Sequence, residues 1–351
     1  MGNHSSSYDG YTGSKLGNRA LKYKFIDLFS GIGGFHLAMD GASAELGFES
    51  ECVLASDIND EANKTYQVNF GLDPKGDIAK IEADEIPDHD LLFAGFPCQP
   101  FSIIGDMKGF SDDRGTLFFE IKRILMKKRP QAFVLENVKQ LRGHDGGRTL
   151  QHIMHVLQFE LGYQTQWQVL NALDFGLPQK RERIVIVGFR EPRPFAWPQG
   201  GLPMTPLSEI LLPNDEVAPF YEASDYIREK RAVHHQADTE PTIWHENKSG
   251  NISKLPYSCA LRAGASYNYL LVNGTRRLTE REMFRLQGFP DSYKIVSAYG
   301  AARHQIGNSV PVPMIQAVLK RVLESLSTEV PPFENGRKQG QFVFERRVEY
   351  V

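Results

Sequence analysis

The chain has 351 residues, of which 41% are hydrophobic, and a formal net charge of -3. That length suits about two domains, and the composition is that of an ordinary globular protein, which excludes disordered, fibrous and disulfide-dense classes. The near-neutral charge excludes a bulk attraction to nucleic acid, and no run of about 18 apolar residues is present to cross a membrane.

Residues 1 to about 22 are rich in Gly, Ser and Asn and read as a disordered arm without a secretory apolar run. The opening MGNHSS fits the pattern for N-myristoylation, but so short a pattern has many chance matches. From Lys24, apolar runs alternate with helix-like segments: KFIDLF, CVLAS, DLLFAGF, AFVLE, WQVLNAL and RIVIVGF. Helices are predicted at Phe35–Leu46, Asp60–Asn69, Thr116–Lys128 and Thr149–Leu161. Near-continuous apolar strands between helices predict an α/β unit, a doubly wound and mostly parallel sheet covered on both faces. From about Pro192 the chain turns Pro-rich and irregular until about Lys254, which reads as a second, smaller domain after a linker. Helical pattern returns at Leu278–Leu286 and Val312–Leu326, and the tail from Ser327 is peripheral. The Lys127–Arg129 run reads as a solvated helix face at least as well as a nucleic-acid contact.

In open α/β sheets ligands bind beyond the carboxyl ends of the strands, so the residues after each apolar run carry the chemistry. After KFIDLF stands Ser30-Gly31-Ile32-Gly33-Gly34, a tight turn that lets backbone approach a ligand. It is not G-x-G-x-x-G, so a nucleoside suits it better than a dinucleotide. After CVLAS stands Asp57, either a ribose acceptor or the N-cap of the next helix, and Ile58 suits an adenine ring. Gly76-Asp77-Ile78 offers a further acceptor and apolar contact. After DLLFAGF stands Cys98 between prolines, followed by the Gly-punctuated stretch GDMKGFSDDRG. A lone Cys is usually an inert core residue, but a strand-end thiol beside such a loop is a nucleophile candidate. Glu136, after AFVLE, is a carboxylate in apolar sequence that needs a partner. Arg181 and Arg183 alternate at strand spacing, so one or both can pair with Glu136, meet an anionic ligand, or form a surface ion pair. Cys52, Cys98 and Cys259 are odd in number and far apart, which supports neither disulfides nor a metal site and fits a reducing cytoplasm. His234-His235 reads as surface.

With these residues quoted, the chain resembles the bacterial DNA (cytosine-5)-methyltransferase family of restriction-modification type. The marks are DLFSGIGGF, GFPCQPFS, ENV, QKRER, RLTEREMFRLQGFP and QIGNSVPVP, in that order over roughly Lys24 to Leu326. The resemblance implies a Rossmann-like S-adenosylmethionine-dependent methyltransferase fold. Its large domain would be residues 23–194 completed by 296–326, with a target-recognition domain at 195–273, a hinge and helix at 274–295, and a tail at 327–351. It implies S-adenosyl-L-methionine as methyl donor, held by Phe29, Gly31, Ile32, Gly33, Gly34, Asp57, Ile58, Asp77, Ile78, Asn308 and Ser309. The catalytic group implied is Cys98, Glu136 and Arg183, with Arg181 and Gln99. Ser102, Ile104 and Arg114 would meet DNA in a loop closing over a flipped-out cytosine. Cys98 would add to C6, Glu136 would stabilise the protonated base, and Arg183 would hold O2; no metal is needed. The chain departs from the family pattern at Ile104 and at Cys259-Ala260-Leu261, where many relatives carry Thr-Leu, so Cys259 reads as structural. Duplex DNA is the implied substrate, for a monomer in the bacterial cytoplasm, nucleoid-associated, with a companion restriction endonuclease. A tRNA cytosine-5 methyltransferase of the same fold is the alternative. A catalytically silent DNA-binding relative is disfavoured by the intact Cys98, Glu136 and Arg183, and a nicotinamide-dependent dehydrogenase by the glycine spacing.

Overall fold

The computed structural model describes residues 21–97, 117–233 and 240–328. The first half contains β1 (Lys22–Leu28), α1 (Gly34–Leu46), β2 (Glu49–Ser56), α2 (Asp60–Phe70), β3 (Leu91–Gly95), α3 (Leu117–Lys128) and β4 (Ala132–Val138). It continues through α4 (Arg148–His155), β5 (Gln164–Asn171), β6 (Gln179–Lys180) and β7 (Glu182–Phe189). Each of the six apolar runs supplies one strand of a single sheet, in the order β2-β1-β3-β4-β7-β5. Only β7 runs against its neighbours, antiparallel to β4 on one side and β5 on the other.

The inner runs are apolar because both faces of the sheet are covered there, whereas the edge strands β2 and β5 are only partly buried. Side chains alternate across a strand, so Leu91 and Phe93 of β3 enter one core while Leu92 and Ala94 enter the other. The same division separates Ala132 and Val134 from Phe133 and Leu135 in β4. Helix α1 supplies Ala38, Met39 and Ala42 to the first core, and α3 supplies Phe118, Ile121 and Leu125 to the second. The helix predicted at Thr149–Leu161 is α-helical only to His155 and widens into a π turn over Val156–Glu160. That turn keeps Val156 and Leu157 fully buried.

The second half holds α5 (Leu207–Ile210), α6 (Asp225–Ala232), β8 (Ile243–Glu246), β9 (Ile252–Leu255), β10 (Ser258–Cys259) and β11 (Leu270–Val272), then α7 (Glu280–Leu286), α8 (Tyr299–Asn308) and α9 (Val312–Ser327). Strands β11-β8-β9 form a separate small sheet, and β10 pairs with β6. Sequence periodicity misses these strands because two to four residues are too few to show alternation. Helix α8 is also missed: YGAARHQIGN carries two glycines and little amphipathic pattern. Its Gly307 has a packing reason, since an added Cβ would stand 2.4 Å from the Ala263 amide nitrogen. Helix α9 returns to the first half, where Ile315, Val318 and Leu319 share the core of α1.

Helix α7 begins with a capping box between Thr279 and Glu282. Glu282 is fully buried. Its carboxylate accepts from Arg276 Nη1 at 2.9 Å and Nη2 at 2.8 Å, the Thr279 amide at 2.7 Å and the Leu212 amide at 2.9 Å. Glu282→Ala would strand a buried guanidinium and two amides, so a loss of about 3–5 kcal/mol is expected in denaturant unfolding. Glu45→Ala, which removes the exposed pair with Lys320, is the control and is expected to change stability little.

Candidate active site

Strand order reverses between β1 and β3, since β2 lies on the opposite side of β1. Beyond the carboxyl ends of these strands lies a cavity of about 700 Å³, at the position where such sheets bind ligands. One wall is the turn after β1. Gly33, at φ 79°, lies so near Phe70 that a Cβ would stand 2.3 Å from its ring, and a Cβ on Gly34 would stand 2.8 Å from Ser309 Oγ. Gly31, at φ +53°, has nothing within 4 Å of its Cβ position and faces open space. Asp57 fixes the turn: one carboxylate oxygen accepts the Gly31 amide and the other the Asn59 amide, both at 2.8 Å. The helix cap is Asn59, whose side chain accepts from Ala62. Ile58 is 76% exposed and lines the cavity. Asp77 caps the turn Ile78–Lys80, and Phe29, Asp77, Ile78, Asn308 and Ser309 also line the cavity. Ile32 is buried behind the turn, its carbonyl accepting from Tyr293 Oη at 2.6 Å.

His36 lies behind the same turn, stacked on Phe70 with ring centroids 4.0 Å apart and with Nδ1 2.7 Å from Tyr66 Oη. Burial lowers its pKa to about 4. Asp27, on the adjoining strand, is fully buried, and burial followed by the charge of Asp57 raises its carboxyl well above the usual range.

The other wall is built by the reversed strand. Because β7 runs antiparallel, its beginning lies at the edge where β4 ends, with Arg183 opposite Val138 and Val185 opposite Glu136. Glu136 and Arg183 are diagonal neighbours on one face, and Arg183 Nε donates to Glu136 Oε1 at 2.8 Å. Burial raises the Glu136 pKa while the charges of Arg183 and Arg181 oppose the rise. Of the two arginines, only Arg183 pairs with the carboxylate. Arg181 is 1% exposed and donates to three backbone carbonyls, those of Leu261 at 2.7 Å, Gly307 at 3.0 Å and Ser309 at 2.7 Å. Two positioning residues lay hidden inside sequence marks. Asn137 donates to the Phe96 carbonyl at 2.9 Å, fixing the exit of β3. Gln179 accepts the Leu261 amide at 3.0 Å and donates to the Leu286 carbonyl at 2.9 Å.

Phe96, Pro97 and Leu117 line the cavity. Cys98, Gln99, Ser102, Ile104 and Arg114, like His234 and His235, lie outside the described residues. The other two cysteines are poor nucleophiles: burial pushes the Cys52 thiol up to about 12 and raises Cys259, with Lys180 and Arg262 opposing the latter.

A doubly wound sheet with a glycine turn at its switch point and a buried carboxylate–arginine pair across the cavity defines an α/β methyltransferase fold. The same fold occurs in the Dnmt2 methyltransferase of S. pombe, with a TM-score of 0.66 at 21% identity over 87% of this chain and all of that one. The family model for C-5 cytosine-specific DNA methylases matches residues 23–209 and 211–324, and the chain belongs to that family. It is 54% identical to the Type II methyltransferase M.NgoBI of Neisseria gonorrhoeae, over 85% of this chain and 92% of the relative. It is 52% identical to the Type II methyltransferase M.HaeII of Haemophilus aegyptius, over 87% of this chain and 94% of the relative. The protein is therefore a DNA (cytosine-5-)-methyltransferase, which implies a methyl donor of the S-adenosylmethionine type and DNA as substrate. Among the described residues no helix is long and apolar enough to cross a membrane.

The buried His36 gives the turn an acid sensitivity. Unfolded, the imidazole protonates near its ordinary value of about 6.5; folded, it resists protonation to about 4. The folded state binds fewer protons between those values, so stability is lost as pH falls through that window. Wild type is expected to lose about 2 kcal/mol more than His36→Gln between about pH 7.5 and about pH 5 in urea unfolding. Equal losses would contradict a buried neutral His36.

Proposed function

We propose that this cavity methylates C5 of a cytosine turned out of duplex DNA, through a covalent adduct between Cys98 and C6. The observation that carries the reading is the buried Glu136–Arg183 pair across the cavity from the glycine turn. A carboxyl whose pKa is raised by burial is suited to share a proton with N3 of the base, which makes C6 electrophilic. Arg183, which donates to that carboxyl, would also hold the base O2. Pro97 lines the cavity one residue before Cys98, which supports delivery of the thiolate to the ring. Thiolate addition to C6 makes C5 nucleophilic; once C5 has taken the methyl group, a base removes the C5 proton, the C5–C6 double bond re-forms, the C6–sulfur bond breaks and the thiolate leaves.

S-adenosylmethionine, when bound, supplies the electrophilic methyl group that C5 takes. The wall from Phe29 to Gly34 with Asp57, Ile58, Asp77 and Ile78 fits its nucleoside. Gly31 leaves the space open, Asp57 and Asp77 present acceptors, and the exposed Ile58 offers an apolar surface for the adenine. Asn308 and Ser309 close the wall from the C-terminal side. The catalytic unit is residues 23–194 with 296–326, and residues 195–273 read the target sequence. The Type II names of the relatives suggest a companion endonuclease in a restriction-modification system.

Bisulfite sequencing of DNA from cells expressing the chain is expected to reveal protected cytosines in one short sequence, and none with Cys98→Ala. Glu136→Gln is expected to lower methyl transfer by about 100-fold or more. Tritiated methyl incorporation into tRNA but not duplex DNA, or its persistence in Cys98→Ala, would overturn the reading.

A further inference from the structure

Arg262 has no assigned role, yet its backbone is held from several sides. The preceding Leu261 is held through its amide by Gln179 and through its carbonyl by Arg181. Helix α8 presses on the Arg262–Ala263 backbone at Gly307, where a Cβ would stand 2.8 Å from the Arg262 carbonyl carbon. The Arg262 amide donates to Tyr269 Oη at 3.0 Å.

The side chain, in contrast, is committed to no anion. It is exposed, lines the main cavity, and carries its guanidinium 4.8 Å above the Tyr269 ring. Among the described residues no carboxylate stands within ion-pair distance of it. The titratable groups that feel its charge are Tyr269, His245 and Cys259, none of which supplies a counter-charge. His304, also lining the cavity, adds no anion. A guanidinium on a constrained backbone, held over an aromatic ring and with no carboxylate partner among the described residues, is preorganised for a multidentate anion contact.

We propose that Arg262 holds the phosphodiester beside the nucleotide that enters the cavity. The substrate is a polyanion, and a base swung out of the duplex carries its flanking phosphate towards the mouth through which it enters. An unneutralised arginine there would fix the backbone of the extruded nucleotide and lower the cost of keeping it out of the stack. This inference rests on the DNA reading proposed above and adds a phosphate contact to it.

The test uses the full chain and a duplex oligonucleotide carrying the sequence it methylates. A neutral methylphosphonate replaces, one at a time, each phosphodiester within two nucleotides of the target cytosine. At one position wild type is expected to lose about tenfold in affinity, the size of one charge-assisted contact, while Arg262→Gln loses nothing further there. Arg262→Gln on unmodified duplex is expected to bind about tenfold more weakly, with the salt slope of log affinity reduced by about 1. Its KM for S-adenosylmethionine should stay unchanged, and Arg262→Lys should recover part of the loss. If every methylphosphonate penalises Arg262→Gln as much as wild type, the inference is overturned. Failure of wild type to methylate any duplex would instead mark failure of the underlying reading.

Discussion

Three segments far apart in sequence meet on the guanidinium of Arg181. It donates to the carbonyl of Leu261, two residues after β10, and to those of Gly307 and Ser309, where α8 gives way to α9. A buried cation is tolerated only when its donors are satisfied and a countercharge is near. Burial first and then the adjacent Arg183 lower the Arg181 pKa to about 9, with Glu136 opposing both, so the group stays charged at neutral pH. Ser309 in turn abuts Gly34. The glycine turn, the carboxylate wall and the second half of the chain are thereby locked to one another.

The reversed strand β7 follows from the same constraint. Were it parallel, Arg181 and Arg183 would lie at the amino edge of the sheet, away from Glu136. Its antiparallel course sets two arginines where the other strands end, and the cavity acquires two chemically distinct halves. Asp57 and Asp77 face it on one side, with acceptors suited to hydroxyl groups. Glu136, Arg183 and Arg262 also line it and supply its charged groups. The pairing of Glu136 with Arg183 keeps the carboxyl in place, and burial favours its neutral form.

Strands buried on both faces announce themselves as unbroken apolar runs, which made the inner strands β1, β3, β4 and β7 legible; the edge strands β2 and β5 are only partly buried and showed as shorter runs. The glycine turn was legible because φ > 0 and close approach both demand glycine at Gly33. Asp57 lines the cavity, and the helix-cap role that the sequence also offered it belongs to Asn59, a distinction of two residues that periodicity does not resolve. Arg181 and Arg183 look alike in QKRER; only the chain reversal separates the one that pairs with Glu136 from the one that clamps carbonyls. Arg262 was invisible, since its position depends on Gln179, Gly307 and Tyr269 converging from three parts of the chain. Helix α8 escaped notice because it packs through backbone contact and not through an apolar stripe.

Covalent attack on the base is the central claim, and a fluorinated substrate tests it most directly. With fluorine at C5 of the target cytosine, thiolate addition and methyl transfer proceed, but no C5 proton remains for the elimination that frees the enzyme. In the presence of S-adenosylmethionine the account predicts a denaturation-resistant protein–DNA adduct whose peptide map places the cross-link on Cys98. Turnover on this substrate without an adduct, or a cross-link at Cys52 or Cys259, would contradict it.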